Sequence, residues 1–134
     1  MKRILSVTLL FAAMLTISGC NSNIKNVEII DIDSEIYSDT EIKSAIDTVE
    51  EYFESNFEGC TLTMIKYAGD DQNKASDKWA KQYDAEKAIV LLSSFDVDSS
   101  GGDGSLNPNS KYDNWQWILV ENESGTWEHV DHGY

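Results

Sequence analysis

The chain has 134 residues, with ten Lys and Arg against 24 Asp and Glu, and a formal net charge of −14 at pH 7. A body this acidic repels phosphate backbones and anionic headgroups, which argues against nucleic acid as a partner. The length supports one domain of about 100 residues beyond the apolar start of the chain.

The first twenty residues, MKRILSVTLLFAAMLTISGC, place Lys2 and Arg3 ahead of an apolar run from Ile4 to Ile17 and then small residues. That is the layout of a secretory signal. The run is shorter than the roughly 20 apolar residues that a membrane span needs. Its end, Ile17-Ser18-Gly19-Cys20, resembles the lipobox of bacterial lipoproteins. The resemblance implies that the Cys20 thiol receives a diacylglyceryl group, with palmitate among its acyl chains, and that the chain is cut just before it. Residues 1–19 are then a signal peptide. The mature protein is expected outside the cytoplasm, lipid-anchored to the bacterial cell membrane through Cys20. Losing Lys2 and Arg3 leaves a charge of −16, carried with eight Lys and no Arg. Without Arg there is no bidentate fork for a phosphate or carboxylate ligand. Such self-repulsion suits a monomer. With Cys20 acylated, Cys60 is left without a disulfide partner, and its alternating context GCTLTMIKY predicts a buried structural thiol.

Residues 20–36 read as the lipidated N-terminus and a short polar tether that shades into the extended stretch VEIIDID. A single domain is expected over 37–134. Ser38-Asp39-Thr40-Glu41 has capping-box spacing, and Ile42, Ala45, Ile46, Val49, Tyr52, Phe53 and Phe57 recur at helical period. Together they predict an amphipathic helix of about five turns, stopped near Gly59. A strand is predicted over 60–68, a short helix over 74–84, a long apolar strand over 88–97, and two further strands over 114–121 and 126–132. The fold class is therefore α+β, with a long helix packed on a curved antiparallel sheet in the order helix-strand-helix-strand-strand-strand.

Residues 96–107, DVDSSGGDGSLN, match a calcium loop at Asp96, Asp98 and Gly101, but Ser100 and Asn107 replace two of its ligands. Asp96, Asp98, Ser100 and Asp103 are thus candidates for a weak calcium site in an interaction module, against a plain glycine-rich hairpin connection. No cofactor is expected.

The turn Asn122-Glu123-Ser124-Gly125 predicts a three-residue hairpin loop closed by a left-handed Gly. Residues of equal parity then share a face, which gathers Trp115, Trp117, Leu119, Trp127, His129 and Asp131. Two readings are open. The indoles are core beneath the helix, or Trp115, Trp117, Trp127 and His129 line a small-ligand or protein-binding pocket. A third, enzymatic reading takes His129 and Asp131 as an acid/base pair.

The C-terminal pattern Trp115-x-Trp117-x-Leu119-Val120, turn, Gly125-x-Trp127-x-x-Val130-Asp131-x-Gly133-Tyr134 resembles the closing hairpin of nuclear transport factor-like domains. The stretch AIDTVEEYFESNFEGCTLTMIKYAG is similar to the opening of small Gram-positive lipoproteins of that superfamily, which carry a domain of unknown function. The resemblance implies a cystatin-like cone and fixes no activity. The function expected is that of a non-catalytic accessory domain, binding a protein or small molecule at the cell surface.

Overall fold

A computed structural model describes residues 23–134. The signal peptide 1–19 and Cys20 lie outside the described residues. The elements run β1 (Glu28–Ile30), α1 (Asp39–Asn56), β2 (Cys60–Tyr67), α2 (Asp70–Lys74), α3 (Asp77–Gln82), β3 (Ala88–Val97), β4 (Lys111–Glu121) and β5 (Trp127–Gly133). The five strands form one sheet in sequence order. β2 to β5 are antiparallel, and β1 joins the β2 edge in parallel. The fold is α+β with a mixed, open sheet; the wholly antiparallel sheet and helix-first order expected are corrected by β1, which precedes α1 and adds a parallel edge strand.

The capping box forms as its spacing predicts. Ser38 Oγ accepts from the Glu41 N–H at 3.1 Å, and the Ser38 N–H donates to Glu41 Oε1 at 3.0 Å. Such a cap contributes about 1 kcal/mol. Glu41 also meets Lys87, which ties the helix start to the entry of β3. Ile42, Ala45, Ile46, Val49 and Phe53 face inward. They pack on Leu62, Ile65, Ile89, Leu91, Phe95, Trp117, Leu119 and Trp127 from β2 to β5. The other face of the sheet is covered at one end, where Trp79 and Ala80 of α3 meet Ala88, Val120 and Val130.

Three features depart from the expected layout. The helix expected over 74–84 is the shorter α3 (Asp77–Gln82), and a separate helical turn, α2 (Asp70–Lys74), precedes it. Buried Asn73 near the end of α2 and Ser76 between the two helices both turn their side chains to the neighbouring strand. Asn73 Oδ1 accepts from the Val90 N–H at 2.8 Å, and Ser76 Oγ donates to the Ala88 carbonyl at 3.2 Å. Lys111–Asp113 extend β4 past its expected start. Most consequential, residues 23–36 are docked on the domain. Asn23 Nδ2 donates to the carbonyls of Phe57 and Cys60, and the Leu62 N–H donates to the Asn23 carbonyl at 3.0 Å. Ile24, Val27 and Ile32 pack against the core. Asp70 accepts from Ser34 Oγ, Tyr67 Oη and the Glu35 N–H at 2.6–2.8 Å, which pins the approach to α1.

Candidate functional site

The last hairpin closes as predicted. The Asn122 N–H donates to the Thr126 carbonyl, the Gly125 N–H donates to the Asn122 carbonyl, and Gly125 takes φ 81°. Pairing then runs Glu121↔Trp127, Val120↔Glu128 and Leu119↔His129. The next pairs are Ile118↔Asp131 and Trp117↔His132, so β5 carries one extra residue at Val130. This bulge reverses the parity beyond it. Asp131 joins the Ile118 face and is exposed, and its Oδ1 accepts the N–H of His132 at 2.9 Å. His132 takes the place beside the indoles. The expectation that His129 and Asp131 share a face is corrected accordingly. The histidine's ring partner is another histidine.

His129 Nε2 and His132 Nδ1 lie 3.0 Å apart, one ring nitrogen donating and the other accepting. Tyr52 of α1 stacks on His129 with ring centres at 3.9 Å, and Trp115 stacks on His132 at 5.7 Å. Phe57 and Trp117 meet the His132 edge at 5.4 and 5.2 Å. Burial lowers the His129 pKa to about 4, and the neighbouring His132 adds to the effect against the opposing charge of Asp131. Burial also lowers that of His132. Both rings are therefore neutral near pH 7, as a pair sharing one hydrogen bond inside an aromatic cage requires.

The three indoles of this face have different fates. Trp117 is fully buried, and its Nε1–H donates to Ser93 Oγ at 2.8 Å. Trp127 is buried against Tyr37, and its Nε1–H donates to the Glu41 carbonyl at 3.1 Å. Both are core. Trp115 is partly exposed, and its buried Nε1–H has no partner. It borders a groove of about 250 Å³ together with Tyr52, Phe57, Leu106 and His132. Glu58 and Asp103 also line that groove. Of the four residues expected to bind a ligand, only Trp115 lines the groove; Trp117 and Trp127 fill the core, and His129 sits behind His132. The groove residues that sequence reasoning missed come from α1, the 57–60 turn and the 98–110 loop. His132 was the single one legible nearby, and only the bulge brings it round.

Cys60 forms part of the same wall. Its thiol is buried, and desolvation, with the charges of Asp98 and Asp103, pushes its pKa up to about 11. That is an inert structural thiol.

The 98–110 loop folds on itself. Asp98 Oδ1 accepts from the Ser100 N–H and hydroxyl, and Asp103 Oδ1 accepts in the same way from Ser105. Both carboxyls are held below the usual range by these bonds. Asp96 belongs to β3, paired with Thr61 and Lys111. Gly101 has φ 73°, and a Cβ there would stand 2.8 Å from the Leu106 carbonyl, so a tight crossing demands glycine. The loop carboxylates thus serve local turns, Asp98 with Ser100 and Asp103 with Ser105. Among the described residues no group of three or more His, Cys, Asp or Glu is placed to hold a metal ion.

Comparison of the chain with protein-family models, with curated proteins and with solved structures finds no match in any of the three.

Proposed function

We propose that this protein is a lipid-anchored, extracytoplasmic binding domain without catalytic activity, held to the cell membrane through Cys20 and acting as a monomer. Its ligand carries a positive charge on an apolar or aromatic body, either a small molecule or a basic side chain of a partner protein. The observation that carries this reading is the groove beside Trp115. Its lining combines the aromatic residues Tyr52, Phe57, Trp115 and His132 and the apolar Leu106 with the carboxylates Glu58 and Asp103. Aromatic faces and carboxylates both favour a cation over a neutral or anionic guest. A mature charge of −16 and the absence of Arg push in the same direction.

The nuclear transport factor-like, cystatin-like relationship is part of the same proposal. One long helix laid across one face of the sheet supports it. No acid/base role is assigned to His129 or Asp131, which the bulge places on opposite faces.

Titration of the protein with phenethylammonium and with its uncharged alcohol analogue, read by indole fluorescence, tests the proposal. The ammonium compound is expected to bind about tenfold more tightly, a difference of about 1.4 kcal/mol, and Trp115→Ala to abolish the preference. Equal binding of the two compounds, or binding unaffected by Trp115→Ala, would refute it.

A further inference from the structure

We infer that residues 23–27 fasten the lipid anchor to one pole of the domain, so that the groove beside Trp115 opens at the headgroup layer of the bilayer. This rests on the reading of Cys20 as the lipidated residue. Asn23 is bound on three sides: its Nδ2 donates to the carbonyls of Phe57 at 3.1 Å and Cys60 at 2.9 Å, and its own carbonyl accepts from Leu62. Ile24 and Val27 follow into the core, and β1 then pairs with β2. From Asn23 onward the chain belongs to the folded body.

Cys20 is three residues earlier. At about 3.3–3.6 Å per residue, its Cα lies no more than about 11 Å from that of Asn23 in any conformation. A flexible tether of about 16 residues would instead span a root-mean-square distance of about 20–24 Å and leave the body free to tumble. The leash is too short for that.

The pole it selects is the groove. Phe57 and Cys60, whose carbonyls hold Asn23, are themselves groove residues. The 98–110 loop lies at the same end, because the Asp98 N–H donates to the Gly59 carbonyl. β4 leaves this end at Lys111, which pairs with Asp96 and through it stands level with Thr61 at the start of β2. It reaches Glu121 ten steps later, about 33 Å away at 3.3 Å per residue. The Asn122–Gly125 turn therefore forms the opposite pole. A cationic guest of the groove would be met at the membrane surface, where headgroup ammonium groups and membrane-bound partners are presented. The hairpin turn faces away from it.

The test uses the full-length protein, processed by its own signal and reconstituted in vesicles bearing a headgroup-attached energy-transfer acceptor. Ser105→Cys at the groove pole and Ser124→Cys at the hairpin turn each supply one reactive thiol, since Cys60 is buried and the Cys20 thiol is consumed by lipid. Intact mass of each preparation reports the diacylglyceryl group first. Its absence would overturn the anchor reading itself. With lipid present, transfer from position 105 is expected to exceed that from 124 by about twofold or more. A Gly/Ser insertion of about 20 residues between Ser22 and Asn23 is expected to erase the difference, because such a linker behaves as a flexible coil. Equal transfer from the two positions on the native leash, or a difference that survives the insertion, would overturn the placement while leaving lipidation standing.

Discussion

The bond between Trp117 and Ser93 offers a sharp test of how this core is assembled. Both residues are fully buried, and the indole N–H donates to Ser93 Oγ at 2.8 Å. Ser93→Ala strands the N–H without a partner, which costs about 1–3 kcal/mol for a buried polar group. Trp117→Phe strands the hydroxyl at a similar cost and adds a further 1–2 kcal/mol, roughly, for the space left by the smaller ring. Removing both partners together leaves no orphan. The double variant should therefore be less destabilised than the sum of the two singles by about 1–2 kcal/mol. Urea unfolding followed by far-ultraviolet circular dichroism reads this directly. With a slope of about 1–2 kcal/mol/M, each single variant should move its midpoint down by about 0.5 M or more. Single variants within about 0.5 kcal/mol of the parent, or a double variant that is simply additive, would refute the claim that this hydrogen bond organises the aromatic layer.

Two further outcomes are expected. The His129–His132 pair should make the fold acid-sensitive. A histidine whose folded pKa lies below its unfolded value of 6.5 loses stability as pH falls through 6.5 and on toward the folded value, about 4 for His129. Solvent screening of a half-buried ring brings the full-shift figure of about 3 kcal/mol down to about 2 kcal/mol. His129→Gln should flatten that part of the profile, and an unchanged slope between pH 6.5 and 4 would remove the pair as its cause. Calcium at a few millimolar should stabilise the fold by less than about 1.4 kcal/mol beyond a magnesium control, the gain that a tenfold excess over a dissociation constant would give. A calcium-specific rise in melting temperature, abolished by Asp98→Asn with Asp103→Asn, would contradict the self-contained turns seen in the loop.

The sequence by itself determined the local elements whose signals are short-range. The capping box and the 3.6-residue apolar period specify α1, because both act within a few residues of one another. The Asn122–Gly125 turn was legible for the same reason: only a left-handed Gly at its end closes a three-residue loop of that hand. Alternation placed Trp115, Trp117 and Leu119 on one face. What the tertiary structure decided lies where distant segments compete. The bulge at Val130 exchanges Asp131 for His132, and nothing local marks it; one extra residue is absorbed only because Val130 packs with Val120 and Ala80 on the far face while His132 enters the cage of Tyr52, Phe57 and Trp115. Which indole becomes wall and which becomes core follows from the reach of α1, which covers Trp117 and Trp127 and stops short of Trp115. Residues 20–36 read as a short tether shading into the extended VEIIDID, and β1 does lie within that stretch, but three strand residues are too few to show which edge they join. Their place in the body comes from pairing with β2 across a separation of 36 residues, and from the carbonyls that Asn23 finds there.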